Sequence, residues 1–356
     1  MDFGIYLATA ADSWKTVKRA EELGYTNAWF FDTPMLNAEL FVAMGAAAVQ
    51  TSRIRLGTGV MIPSNRIEPV AASGLASLNT LAPGRIDFGI GTGFTSRRAI
   101  GLPALPLARM EDYINNVQGL LRGETVEWEG EGASHKIRFL NPELDVLNID
   151  DPIDLYISAF GPKGRQLIAK LGAGYIGLAE DPTGLPAMQE AWKQAGRNPK
   201  DLYSILIAGG TVLDDGERAD SPRAKAQAGP SAAMVFHNQV EQEDRQTAGA
   251  AGTSMGVPPQ FLPQLEAYRK MYATYEPADA RYLTNHRGHL MFLKPGEEAQ
   301  MTEDVIRAFT FTGTKSELVE RLRQLKSDGL SQFGVEIRYG HEEEMLQKWA
   351  DVFSMV

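Results

Sequence analysis

The residues able to do chemistry in this chain are glycines at strand ends, one loop of the phosphate-binding type, one well-placed carboxylate and one histidine. AFGPKGRQLIAKLG (159–172) ends an apolar run at Gly161, passes through Pro162 and opens a helix beside Lys163 and Arg165. Proline suits the first helical position. Free N–H groups at a helix N-terminus, with a cation nearby, form an anion site by geometry and charge. An ordinary loop before a capped helix accounts for the same residues equally well. GIGTGF (89–94) reads as backbone thinning at a strand end, or as a dinucleotide fingerprint without its third glycine in register. RIRLGTGV (53–60) alternates as a strand facing a core should, then places Gly57 and Gly59 where the strand should be strongest. Glycine in a strand interior marks a bulge or the close approach of another group. Asp32 follows the apolar run AWFF, where a carboxylate is costly unless paired. It either caps the next helix or accepts hydrogen bonds from a polar heterocycle. His289, in HRGHLMFLKPGEE, is either structural or catalytic, and Arg97 and Arg98 form a solvated face or guide an anionic tail.

Composition removes other chemistries. The chain of 356 residues has no cysteine, which excludes disulfides, thiolate catalysis and cysteine-based metal sites. Its five histidines include no H-x-x-x-H or H-E-x-x-H spacing; His286 and His289 are three apart. A formal net charge of −10 argues against nucleic acid or an anionic membrane as the main partner. The N-terminus enters an apolar strand at once, and no apolar run reaches transmembrane length, so a cytoplasmic protein is expected.

These residues need elements to position them, and the chain supplies a regular alternation. Apolar runs at 3–7, 27–32, 54–60, 85–93, 154–160, 173–179, 202–213 and 333–339 read as strands, with amphipathic stretches between them. Gly24 closes the first helix, and Thr314 with Glu317 forms a capping box before the last strand. Residues 124–150 are a polar excursion with a short hairpin (TVEWEG, KIRFL). Eight strands separated by helices predict an α/β fold, a (β/α)8 TIM barrel, as one domain over 1–356. The stretch 214–312 is a mostly helical insertion between strands seven and eight, its clearest helix PPQFLPQLEAYRKMYATYE.

Function in such a barrel lies on the loops leaving the C-terminal strand ends. Here those are Asp32-Thr33-Pro34, Gly57 to Ile62, Gly91-Thr92-Gly93-Phe94, Ser158 to Gly161, Gly177 to Glu180, and Glu336 with Arg338. Glycine, small and apolar residues dominate, and clustered nucleophile–base pairs do not occur. That suits a flat, apolar cofactor laid on backbone and supplying the reactivity itself.

SRIRLGTGV, LASLNTLAPGRIDFGIGTG and SAFGPKGRQLIAKLGAGYI, in that order, resemble the bacterial luciferase-like superfamily. The nearest likeness is to the methylenetetrahydromethanopterin reductase-like branch of deazaflavin enzymes. It covers 3–180, resumes at 309–337 and leaves 214–300 unmatched. It implies a barrel binding a reduced, dissociable cofactor, coenzyme F420 or FMN, at its C-terminal mouth. It also implies a cis peptide at Gly59–Val60 that props the ring from behind. By the same resemblance Asp32 faces the ring's polar edge, and Gly161, Pro162, Lys163 and Gly164 hold the phosphate. Gly177 and Leu178 match a neighbouring wall, and Gly91, Thr92 and Ser158 complete the cofactor-binding set. Asp32, Thr33 and His289 are the catalytic candidates. Thr33 stands where sugar-phosphate dehydrogenases of the branch carry a histidine, as in reductase-like members, and the Gly-Pro-Lys-Gly loop departs from the serine-rich one of alkanesulfonate-type monooxygenases.

The expected activity is hydride transfer between the deazaflavin and a small organic substrate. The alternatives are a two-component monooxygenase using FMNH2 and oxygen, and a non-catalytic flavin-binding barrel. Expected partners are a small-molecule substrate, a separate flavin or deazaflavin reductase and a second copy of the chain in a homodimer, with no nucleic acid and no membrane. The insertion is expected to cover the substrate side of the ring, or to serve as an oligomer interface.

Overall fold

The computed structural model describes residues 1–247 and 256–356. The first half of the barrel comprises β1 (Asp2–Leu7), β2 (Asn27–Phe30), β3 (Arg55–Thr58) and β4 (Ile86–Ile90). The hairpin β5 (Val126–Gly130) and β6 (Ala133–Ile137) lies to the side. The barrel resumes with β7 (Asp154–Ser158), β8 (Gly174–Leu178) and β9 (Ser204–Ala208). A two-stranded patch of β10 (Val212–Leu213) and β11 (Gly313–Thr314) precedes the last barrel strand, β12 (Gln332–Ile337). The eight barrel strands close in the order β1-β12-β9-β8-β7-β4-β3-β2, every pair parallel. The expected (β/α)8 barrel is the fold found.

The helices are α1 (Trp14–Glu22), α2 (Leu40–Gln50), α3 (Glu68–Leu81), α4 (Phe94–Arg98), α5 (Leu107–Leu121), α6 (Pro162–Leu171) and α7 (Gly184–Gln194). Between β10 and β11 come α8 (Pro222–Thr247), α9 (Leu262–Tyr272), α10 (Tyr282–His286) and α11 (Glu303–Phe309), and α12 (Lys315–Ser327) and α13 (Glu342–Phe353) complete the ring. Their ends follow local chemistry. Gly24 takes φ +91 just past α1, and the Thr314–Glu317 capping box opens α12.

Two apolar clusters reflect strand alternation. Residues facing outward, such as Phe333, Val335 and Ile337 of β12, pack beneath the surrounding helices. Tyr6, Trp29, Tyr156, Ile176 and Ile205 face inward and fill the barrel. The glycines of β3 belong to this inner packing. A Cβ on Gly57 would lie 2.3 Å from the Trp29 ring, and one on Gly59 would lie 2.7 Å from Trp29 Cβ. The group that approaches that backbone so closely is therefore an indole of the neighbouring strand. The N-terminal end of the barrel is closed by polar pairs. Arg55 Nη2 donates to Asp87 Oδ1 at 2.5 Å, and the Tyr203 hydroxyl donates to Asp2 Oδ2 at 2.6 Å. Burial still pushes the Asp87 carboxyl up to about 6, against the Arg55 charge.

The seventh strand, expected over 202–213, stops at Ala208 and is followed by the separate short β10. At Gly209 a Cβ would lie 2.1 Å from Ser231 Oγ, and at Gly210 one would lie 2.5 Å from the Phe311 carbonyl oxygen, so chain crossing over the strand end breaks it there. Helix α8 starts inside a stretch that reads as polar, because its buried face is mainly alanine (Ala224, Ala228, Ala232, Ala233) and carries little apolar periodicity. Around Phe236, α8 packs with Leu265 and Tyr268 of α9 and with Val305 and Ile306 of α11 in a third apolar cluster.

Candidate active site

At the β3–β4 edge of the mouth the Gly59–Val60 peptide is cis, in agreement with the sequence reading. Val60 sits against Gly91, where a Cβ would lie 2.8 Å from Val60 Cγ2 and 3.7 Å from the Ser158 side chain. The ends of β3, β4 and β7 thus converge on a thin, mostly apolar edge. Thr92 is part-buried beside it, and its carbonyl holds the Leu105 amide at 2.8 Å. Leu178, on β8, is the inward register partner of Ile207 on β9, and Ile207 and Val60 both pack on the inner aromatic cluster. Gly177, one position earlier, faces the helix side against the Tyr175 hydroxyl.

Beyond β7, Gly161 is the N-cap of α6 with no side-chain cap, and Pro162 takes the first turn. The first N–H groups of a helix have no partner within it. Gly161 and Lys163 are exposed there, whereas Gly164 is buried against Ala159, which a Cβ would approach to 2.6 Å. Arg165 Nη1 donates to the Phe160 carbonyl at 2.7 Å and fixes the turn.

Asp32 is buried and fully engaged. Its carboxylate accepts from the Ile62 amide at 3.0 Å, Asn65 Nδ2 at 3.0 Å and Arg66 Nη1 at 3.0 Å. Arg66 also pairs with Glu39, and Asn65 Nδ2 reaches Ser96 Oγ at 3.2 Å. The carboxylate therefore ties the loop after β3 to the end of β2, and through Asn65 to α4. Thr33 Oγ1 accepts from Asn37 Nδ2 in the next turn.

His289 stands apart from Asp32 in sequence, but the fold brings it to the mouth. Its Nε2 lies 3.3 Å from Thr95 Oγ1 on α4, while the neighbouring Leu290 carbonyl accepts from Arg338 Nη1 just past β12. β4 and β12 are four steps apart around an eight-stranded barrel, hence on opposite sides. A segment touching both sides crosses the mouth. Leu290 holds φ +58 in this strap, a conformation side chains other than glycine's seldom adopt. His289 Nδ1 is buried without a hydrogen-bond partner, and burial, followed by the neighbouring His286 and His237, holds its pKa well below the ordinary value.

A model of the luciferase-like monooxygenase family matches residues 6–332. The chain belongs to that family. An F420-dependent glucose-6-phosphate dehydrogenase of Beutenbergia cavernae is 35% identical over 46% of this chain and 51% of that enzyme. The chain spans about half the length of that relative. A 5,10-methylenetetrahydromethanopterin reductase of Archaeoglobus fulgidus is 26% identical over 89% of this chain and 86% of that one. Among solved structures, the coenzyme F420 dependent tetrahydromethanopterin reductase of Methanopyrus kandleri superposes with a TM-score of 0.72 at 21% identity, covering 98% of this chain and 97% of that one.

One polar group of this luciferase-like mouth did not stand out in the sequence. Glu336 Oε2 accepts from Ser231 Oγ at 2.7 Å, and Ser231 Oγ in turn accepts from Arg338 Nη2 at 2.7 Å. Burial pushes the nearby Glu180 carboxyl up to about 8, with the Glu336 charge adding to it. Glu180, Glu336 and Arg338 are legible as strand-end residues; Ser231 lies 105 positions from Glu336, and no local pattern joins them.

Proposed function

We propose that this chain is an oxidoreductase that uses a reduced, dissociable deazaflavin of the F420 type to transfer hydride to or from a small organic substrate. The observation that carries the reading is the division of the mouth into two halves. On the β3–β8 side, Val60, Gly91, Ser158 and Leu178 form a thin, largely apolar edge that leads to the uncapped start of α6. A flat ring against backbone and a phosphate at free helix amides fit these residues. On the β8–β12 side the groups are polar: Glu180, Glu336, Ser231 and Arg338. The names of the relatives support the deazaflavin over FMN. When bound, the reduced deazaflavin supplies hydride. The protein's own residues seat it, and the strap carrying His289 covers the opposite face and excludes water. A separate reductase would regenerate the reduced cofactor.

Titration with coenzyme F420 and with FMN, followed by fluorescence, tests this reading. Tighter F420 binding is expected; FMN binding alone would make the chain a two-component monooxygenase using FMNH2 and oxygen. Gly161→Val locates the phosphate. Gly161 has extended backbone, and an added Cβ meets nothing within 4 Å, so the fold should tolerate the change. Cofactor affinity should fall about tenfold or more, roughly 1.4 kcal/mol, and unchanged affinity would move the phosphate elsewhere.

A homodimer is part of the proposal. Helix α2 (LFVAMGAAAVQ) has no charged residue and is apolar all round, a pattern expected of a helix covered on every side. Leu40, Ala43, Met44 and Ala47 face the barrel, yet Val42 and Val49 are exposed, as are Ile67 and Val70 at the start of α3. Sedimentation of Val49→Asp should show monomers where the parent shows dimers, and a dimer in both would move the interface off α2. No helix among the described residues is long and apolar enough to cross a membrane.

A further inference from the structure

The polar half of the mouth has more structure than cofactor seating requires. Leu178, Ile207 and Gly334 lie side by side in register on β8, β9 and β12. Two residues further along, at the next inward positions, stand Glu180, Gly209 and Glu336. Gly209 lies between the two acids in register, and Ser231 takes the space its side chain would need: a Cβ there would fall 2.1 Å from Ser231 Oγ and 2.8 Å from Glu336 Oε2, while its backbone N–H interacts with the Glu180 carboxyl. Glu336 Oε2 accepts from the Ser231 hydroxyl at 2.7 Å, and Arg338 Nη2 is 3.7 Å away. Above them crosses the strap, fixed by Arg338 on the Leu290 carbonyl and carrying the buried, unpartnered His289 Nδ1. The two carboxyls thus share the β8–β12 side of the mouth, and Arg338 links them through Ser231 to the strap.

We propose that Glu180 and Glu336 are the acid–base pair of the mouth, Glu180 being the carboxyl that gives a proton to, or takes one from, the reacting oxygen or nitrogen of an uncharged carbonyl or imine substrate. The proposal rests on the deazaflavin reading. Two carboxyls in one site divide their roles when their surroundings separate them. Burial, with the neighbouring Glu336 adding to it, pushes the Glu180 carboxyl up to about 8, so that it carries its proton near neutral pH, while Glu336 is engaged by Ser231 and Arg338. The Glu336–Arg338 pair is balanced within itself, so this side of the mouth suits an uncharged molecule.

In the reducing direction, hydride from the reduced deazaflavin adds to the substrate carbon. The π pair of the C=O or C=N bond moves to oxygen or nitrogen, which takes the Glu180 proton, and solvent reprotonates the carboxylate. The reverse direction oxidises an alcohol or amine, with Glu180 accepting the proton. The groups around this exchange are Glu336 and Arg338 of β12 and its end, Ser231 of α8 and Arg321 of α12, with His289 of the strap on the far side of Arg338.

The test uses the full chain loaded with reduced deazaflavin, and isobutyramide as an unreactive carbonyl probe. While Glu180 is protonated it donates to the probe's oxygen; once ionised it repels that oxygen. Probe affinity should therefore hold below about pH 8 and fall about tenfold per pH unit above it, as a carboxyl titrating near 8 appears by NMR of labelled glutamate. Glu180→Gln keeps a donor but cannot ionise, so its probe affinity should be flat with pH and the titrating signal absent, with cofactor affinity unchanged. Glu336→Gln should move the transition to lower pH. Cofactor binding with pH-independent probe affinity, with no probe binding, or with the transition surviving in Glu180→Gln, overturns the acid–base pair and leaves the deazaflavin reading standing. Failure of the parent protein to bind the deazaflavin overturns both.

Discussion

Asp32→Ala is expected to destabilise the protein by about 3 kcal/mol and to abolish measurable cofactor binding. The carboxylate and its partner Arg66 are 3% and 11% exposed, and the bond between them is 3.0 Å. Removing one member of a buried pair costs about 3–5 kcal/mol, because the other charge is left without compensation. Arg66 keeps the half-exposed Glu39, which places the expectation at the lower end of that range. The loss extends beyond the pair. The Ile62 amide and Asn65 lose their acceptor, so the loop that follows Gly59 and Val60 loses its anchor to the end of β2. Chemical denaturation measures the first effect and F420 titration the second. The double variant Asp32→Ala with Arg66→Met should recover part of the stability and little of the binding. A change below about 1 kcal/mol would mean that water shares the pair.

Trp29→Ala should cost about 3–5 kcal/mol, the range for truncating a large buried aromatic. The indole stacks on Tyr6 with ring centres 5.8 Å apart and meets Tyr156 edge-on at 5.2 Å. Its Nε1 donates to Gln332 Oε1 at 2.8 Å. Two strand glycines have been given up to make room for it, so nothing nearby refills the space: Gly57 and Gly59 have no side chain to move in. Trp29→Phe retains most of the volume and isolates the hydrogen-bond contribution, about 1–3 kcal/mol for a buried acceptor left unmade. Equal stabilities for Trp29→Phe and the parent would show that Gln332 finds another donor.

Much of the barrel can be read from the sequence because its signals are local. Strand and helix lengths, the glycine after α1, the capping box at Thr314 and the turn at Gly161-Pro162 each depend on residues within one or two turns of chain. The rim composition, rich in glycine and poor in nucleophiles, follows from the same reading and points to a bound cofactor. The glycines of β3 were legible as a place of close approach, while the identity of the approaching group was not. Trp29 lies on another strand, and its direction depends on register, which pairs Trp29 with Gly57.

The polar side of the mouth was decided by tertiary structure. Glu336 and Ser231 are 105 residues apart, and His289 is 194 from Thr95. Helix α8, which carries Ser231, buries alanines and so gives a weak periodic signal. Asp32 could be seen to need a partner, since burying a bare carboxylate is prohibitive, but that Arg66, Asn65 and the Ile62 amide share it depends on how the loop after β3 folds back. Closing the barrel brings strand ends distant in sequence to one rim, and the segment between β10 and β11 then crosses from β12 to the β4 loop. Sequence alone determines which strand ends carry glycine and which carry charge; closure of the sheet determines which of them meet, because hydrogen-bond and ion-pair energies fall away within a few ångströms while separation along the chain sets no such limit.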